Sequence, residues 1–223
     1  MSFSAVVRII HLVPELTLNV SRNTLVMYGG LGPDGVLDEL WLYNYDYNFW
    51  FQADLAGGGP GGRYGSIGGS DPTTPQSTNL STTFYVAGGS DGSRLHSPAD
   101  VYSLVITGTL AQNDQAINTV WTKRTAAAAG DAVAGQATTV MAGGRLVTAF
   151  GCPGTSGVDS ASYNAGCATQ RALSLSASST SSGWQAAGAC PAGRFGASAA
   201  PNLNTADTTF ASQVGCRTAY AWP

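Results

Sequence analysis

One short pattern recurs along the chain and restricts its fold more than any other feature. An apolar run ends in a pair of glycines at Leu25-Val26-Met27-Tyr28-Gly29-Gly30 and again at Phe84-Tyr85-Val86-Ala87-Gly88-Gly89. A degraded copy stands at Leu146-Val147-Thr148-Ala149-Phe150-Gly151-Cys152, where Gly151-Cys152 reads as the worn glycine pair. A polar loop follows each copy, then an alternating segment at 39–45, 100–106 or 171–176, then a tryptophan at Trp50, Trp121 or Trp184. A turn precedes the later copies. Gly62-Arg63-Tyr64-Gly65-Ser66 is matched by Gly193-Arg194-Phe195-Gly196-Ala197-Ser198, and residues 130–135 hold the intermediate place without the arginine. A fixed order repeated at this spacing marks an array of small units, none of which buries both of its own faces.

Each unit reads as four short strands joined by turns: β-branched and aromatic residues alternate or run briefly, bounded by Gly, Pro, Asn and Asp. Helix signals are weak throughout, and the alanine run near 125–134 is broken by Gly130 and lacks an amphipathic stripe. The glycine pair suits a chain leaving a crowded strand with positive φ. The tryptophan supplies a large apolar wedge for burial against the next sheet. The run Ala5-Val6-Val7-Arg8-Ile9-Ile10 is interrupted by arginine and reads as a strand, not as a signal peptide.

The order of Arg63, Gly65, Ser66, Gly88, Gly89, Asp100, Val101, Tyr102 and Trp121 resembles the kelch repeat, and the resemblance extends over nearly the whole chain. It implies an all-β fold of kelch-type propeller blades, each a four-stranded antiparallel sheet. The units lie at 8–50, 63–121 and 131–184, with a partial fourth at 194–223, all in a single propeller region over 1–223. Kelch units average about 50 residues, so these carry longer loops. Propellers close with about four to eight blades. The count therefore implies a fragment of a larger protein, or an irregular fourth unit closed by the N-terminal strand.

Charge excludes some partners. Ten Lys plus Arg against thirteen Asp plus Glu, with charged residues only 10% of the chain, leave no basic patch for nucleic acid. No window approaches 18 consecutive apolar residues, so no membrane-spanning helix is expected. Cys152, Cys167, Cys190 and Cys216 lack zinc-site spacing. Two disulfides, most simply Cys152 with Cys167 and Cys190 with Cys216, fit better, with the other two connectivities open. Such bonds, with the sequons at Asn19 and Asn79, favour an extracellular or cell-surface glycoprotein; four free thiols would instead mean a cytoplasmic one.

In an up-and-down meander the loops at 31–38, 90–99 and 153–170 gather on one end with the linkers at 53–62 and 185–192. The loops at 70–81, 107–119 and 176–183 go to the other. Binding groups concentrate on loops held by a rigid scaffold. The candidates on the first end are Asp34, Asp91, Arg94, His96, Asp159 and Tyr163, although Asp34-Gly35 and Asp91-Gly92 are also ordinary turn formers. Arg63 and Arg194 read as structural, pairing with a carboxylate or carbonyl of the neighbouring unit.

Catalytic signatures are absent from the sequence. A galactose-oxidase-like copper radical oxidase, also a kelch-type propeller, needs two histidines, two tyrosines and a cysteine cross-linked to one of them. This chain has only His11 and His96, and no cysteine before Cys152. The glycine run 57–62 contains Pro60 and leads into a strand rather than a phosphate-binding helix. The expectation is a non-catalytic module without metal or cofactor, recognising a protein or carbohydrate ligand through one loop end. An intracellular adaptor and an oxidase fragment stand as alternatives.

Overall fold

The structure is a computed structural model that describes residues 15–19, 24–71, 80–111, 114–125, 133–134, 137–141, 144–149, 152–153, 171–176 and 183–189. Among them there are strands and turns and no helix. The expected strand at Ala5–Ile10 and the partial unit at 194–223 lie outside the described residues.

The first sheet is built from β1 (Glu15–Asn19), β2 (Thr24–Tyr28), β5 (Leu40–Asn44) and β6 (Phe49–Ala53) in that spatial order, all antiparallel. Between β2 and β5 the chain makes a small hairpin of β3 (Leu31–Gly32) and β4 (Gly35–Val36). The second sheet runs β7 (Ile67–Ser70), β8 (Leu80–Ala87), β9 (Asp100–Ala111) and β10 (Asp114–Thr125). A two-residue pairing of β11 (Val133–Ala134) with β14 (Cys152–Pro153) flanks the third sheet. That sheet is β12 (Ala137–Met141), β13 (Arg145–Ala149), β15 (Arg171–Ser176) and β16 (Gln185–Ala189). The three sheets are separate four-stranded meanders with no closed sheet joining them.

Their registers coincide. Tyr28 pairs with Leu40, Ala87 with Val101, and Ala149 with Ala172, each at the end of a second strand. Trp50 lies opposite Tyr43 and Trp121 opposite Leu104, and Trp184 immediately precedes the Gln185–Ser174 pair. The three tryptophans therefore occupy one position of a common lattice. The same register corrects the third glycine pair. Cys152 pairs with Ala134 as Ser90 bridges to Tyr64, so Cys152 is the counterpart of Ser90, and Gly151 aligns with Gly89 rather than Gly88.

Two predicted loops are strand instead. Residues 107–119 belong almost wholly to a long β9–β10 hairpin, because Leu110 and Ile117 pack into the core and hold both strands in ladder geometry. Residues 185–189 form β16, so the linker after Trp184 begins later than the polarity of the segment suggests.

Packing follows from the alternation of faces. Val26, Tyr28, Leu40 and Leu42 of the first sheet meet Phe84, Val86, Leu104 and Ile106 of the second in one buried cluster. The opposite face of the second sheet, with Ile67, Tyr85, Ala87 and Val101, meets Val140, Leu146, Leu175 and Trp184 of the third. Phe84-Tyr85-Val86-Ala87 thus forms an unbroken apolar run because successive side chains serve two different interfaces. The edge strand β7 lies beside β1 and beside β12, and a Cβ at Gly69 would stand 2.9 Å from the Val140 side chain. Polar bonds tie the sheets at their margins: Asn44 Nδ2 donates to the Leu110 carbonyl at 2.9 Å, and Arg124 Nη2 to that of Ser176 at 2.8 Å.

Trp121 and Trp184 each face the preceding sheet. Trp121 meets Tyr28 edge to face with centroids 5.4 Å apart, and Trp184 Nε1 donates to the Pro98 carbonyl at 2.8 Å. Trp121 Nε1 is buried and has no hydrogen-bond partner. Trp184→Phe should therefore lose a hydrogen bond that Trp121→Phe does not, a difference of about 1 kcal/mol. Comparison of the two variants by urea denaturation reads it directly.

The glycine pairs end β2 and β8 with φ of 65° and 107° at Gly29 and Gly30, and 62° and 82° at Gly88 and Gly89. A Cβ at Gly29 would collide with the Arg63 carbonyl oxygen, whereas at Gly57, whose φ is not positive, nothing stands within 4 Å. Gly29→Ala is expected to cost about 1–3 kcal/mol and Gly57→Ala almost nothing. Thermal melts of both variants check the contrast.

Candidate functional site

The loop after Gly89 owes its shape to one carboxylate. Asp91 Oδ1 accepts hydrogen bonds from Ser93 N at 2.9 Å, the Ser93 hydroxyl at 2.7 Å and Arg94 N at 2.9 Å. Its Oδ2 accepts Arg94 Nε at 3.2 Å and lies 3.1 Å from His96 Nε2. Aspartate is suited to this position because its short side chain reaches backbone N–H groups two and three residues on. The Ser93 hydroxyl and the surrounding amides hold the Asp91 carboxyl well below the usual carboxylate range.

The loop closes by a bond from His96 N to the Gly89 carbonyl at 2.8 Å. In the first unit Leu37 N donates to the Gly30 carbonyl at 2.9 Å, so both loops return seven residues after the second glycine. They also touch: a Cβ at Gly92 would lie 3.3 Å from Val36 Cγ2. The two tips therefore form one composite surface. Arg94 is the most solvent-exposed group of the ion-paired cluster, with 72% of its side chain accessible.

Beneath that surface lies Arg63, 2% exposed. Its Nη1 donates to the Gly88 carbonyl at 2.9 Å, Nε to Gly61 at 3.3 Å and Nη2 to Pro60, and the guanidinium sits 5.6 Å from the centre of the Tyr102 ring. The sequence suggested partners in the neighbouring unit. The side chain instead binds its own entry loop and its own unit's glycine pair, and the link to the first unit is made by its backbone carbonyl, which accepts Gly30 N at 2.8 Å. Burial presses the Arg63 pKa down, yet an arginine stays charged.

Next to it, the buried Tyr28 hydroxyl donates to Asp38 Oδ1 at 2.8 Å, with the Gly61 carbonyl 2.9 Å away as a second acceptor. Burial first, and Asp38 second, push the Tyr28 hydroxyl far above its ordinary pKa, which keeps it a neutral donor. Lys123 stands on the Tyr102 ring and pairs with Asp100 at 2.9 Å.

Of the six candidate binding residues, Asp91, Arg94 and His96 are brought into direct contact. Asp34 is exposed on the turn of the adjoining β3–β4 hairpin, and Asp159 and Tyr163 lie outside the described residues. So do Gly151, Arg194, Cys167, Cys190 and Cys216, while Cys152 is described only as part of β14. Tyr28, Asp38, Tyr102 and Lys123 were not singled out as site residues. One available signal was that tyrosine replaces the alanine of the other two units immediately before the glycine pair. Among the described residues, no three His, Cys, Asp or Glu side chains gather as a metal site, and no helix is long and apolar enough to cross a membrane.

No family model matches the chain, and no curated protein matches its sequence.

Burial, and after it the nearby Arg63 charge, lower the His96 pKa, against the opposing pull of Asp91. The folded protein therefore takes up this proton less readily than the unfolded chain. The stabilisation is complete above the unfolded value of about 6.5 and is lost as pH falls toward the lower folded value. The melting temperature should drop between pH 7.5 and 5.5, and His96→Gln should flatten that drop. Calorimetry of both proteins across the range checks it.

Proposed function

We propose that this chain is a non-catalytic recognition module built of kelch-type blades, which binds an anionic group on a protein or glycan through the loop end around Asp91, Arg94 and His96. The observation that carries the reading is the Asp91-centred loop: its tip is fixed before any ligand arrives, it abuts the loop of the preceding unit, and it displays Arg94 to solvent. A preformed loop loses little conformational entropy on binding. Arginine presents a planar fork that matches carboxylate or sulfate in two-point contact.

The repeat supports a blade assignment through three sheets in one register, edge strands side by side, and loops closed by the same bond. Arg94 pairs with Asp91 through Nε and leaves most of its side chain exposed, which favours an anionic group as the ligand. An extracellular setting is part of the proposal and rests on the four cysteines and two sequons.

A printed array holding sulfated, uronic-acid and neutral glycans together with acidic peptides tests the reading. Binding to anionic members should fall about tenfold in Arg94→Ala, a loss of one charge-assisted contact of about 1.4 kcal/mol, without a change in melting temperature. Retention only of neutral members, or equal binding by the variant, would count against it.

A further inference from the structure

The outer face of the first sheet offers a second surface, independent of the loop end. Cross-strand pairing aligns the part-exposed Leu25, Tyr43 and Trp50 in one row, and the buried Met27, the part-exposed Trp41 and the exposed Gln52 in the next. The Tyr43 ring lies 5.0 Å from Trp50 and 4.9 Å from Tyr45, the latter edge to face. Trp50 has no preceding sheet among the described residues, unlike Trp121 and Trp184.

Composition separates this face from the covered ones. In the common register Tyr43 and Tyr45 take the positions of Leu104 and Ile106, which are fully buried in the second sheet, and Leu175 holds the first of these positions in the third. Here the two aliphatic positions have become tyrosines, and Tyr45 is 51% exposed. A leucine there would suit a dry contact with another sheet; a tyrosine suits a partner that is apolar on its face and hydroxylated at its edge.

The polar tips are already anchored. The Tyr43 hydroxyl donates to Asn48 Oδ1, and Trp41 Nε1 donates to Glu39 Oε2 at 2.7 Å. Tyr47, 48% exposed, turns instead toward Phe49, which packs on the core of the opposite face, so it stands outside this row. None of the residues in the two paired rows is charged.

We propose that Trp41, Tyr43, Tyr45 and Trp50 form a stacking platform for a neutral polysaccharide. The C–H faces of the sugar rings lie on the aromatic faces, and their hydroxyls meet the tyrosine hydroxyls and the Asn48 and Gln52 side chains at the margin. The rings are held by one another, so little rotamer freedom is lost on binding. A second copy of the chain is the poorer occupant. Three strands about 4.8 Å apart and five residues of about 3.4 Å each give a face of roughly 250 Å², against about 800 Å² per partner in a stable pair.

The test is electrophoresis of the full chain through native gels cast with laminarin, glucomannan or hydroxyethylcellulose, alongside a gel without polysaccharide. At least one neutral gel should retard the protein. Trp50→Ala should weaken that binding about tenfold or more, the effect of removing one stacking ring, and Tyr45→Ser should weaken it several-fold. Tyr45→Ser replaces an exposed side chain, so it keeps the test meaningful even if Trp50→Ala fails to fold. Arg94→Ala loses a positive charge and runs faster in every gel, but its retardation relative to its own mobility in the polysaccharide-free gel should equal that of the unmodified chain, which separates this platform from the loop end. Absence of retardation in every neutral gel, or retardation unchanged by Tyr45→Ser, overturns the proposal. So does a concentration-dependent dimer in sedimentation that Tyr45→Ser abolishes, since the face would then belong to a second copy.

Discussion

Burial of the second sheet on both faces is the constraint on which the rest of this structure depends. A four-stranded sheet with a single dry face can leave the other polar, and its strands then alternate. Here β8 must satisfy two interfaces at once, so Phe84 and Val86 serve the first sheet while Tyr85 and Ala87 serve the third. With every side chain at the end of β8 committed to packing, the turn that follows has no room for a Cβ. Gly88 and Gly89 take positive φ at that point, as Gly29 and Gly30 do at the end of β2.

The crowding also explains why the chain keeps a cation in its interior. The glycine turns point carbonyl oxygens toward the junction between units, and those oxygens need donors once water is excluded. Arg63 serves Pro60, Gly61 and Gly88 together, with the Tyr102 ring alongside it. A buried guanidinium bound to neutral carbonyls depends on precise geometry, since desolvation of the charge is repaid only by good hydrogen bonds. Arg63 thus couples loop shape to sheet packing, and its charge in turn bears on His96 at the surface.

How much of this was legible in the sequence depended on whether side-chain pattern or backbone demand was decisive. The alternating segment 171–176 coincides with β15, and the spacing of Trp50, Trp121 and Trp184 anticipates their common register, because both follow from the period-two rhythm of strands. The β9–β10 hairpin was hidden: Thr107, Gly108 and Thr109 have the composition of a loop, and the burial of Leu110 and the packing of Ile117 hold them in a ladder. At the candidate site, Asp91-Gly92 was visible as a turn former, and its contacts with Arg94 and His96 follow from local sequence. The partners of Arg63 were not visible, since every residue carries a carbonyl and sequence does not mark which of them the fold leaves without water. The pairing of Tyr28 with Asp38 was obscured in the same way, by a contact formed only when the loop folds back.

The orientation of the tryptophans gives the stack a direction. Trp121 looks toward the first sheet and Trp184 toward the second, so the two described joints run in the same sense. Gain or loss of a whole unit within the array would leave every remaining tryptophan facing a sheet of the same register, whereas a unit inserted in reverse would set indole against indole. The array can therefore change in length without redesign of its joints, but only in one sense along its axis.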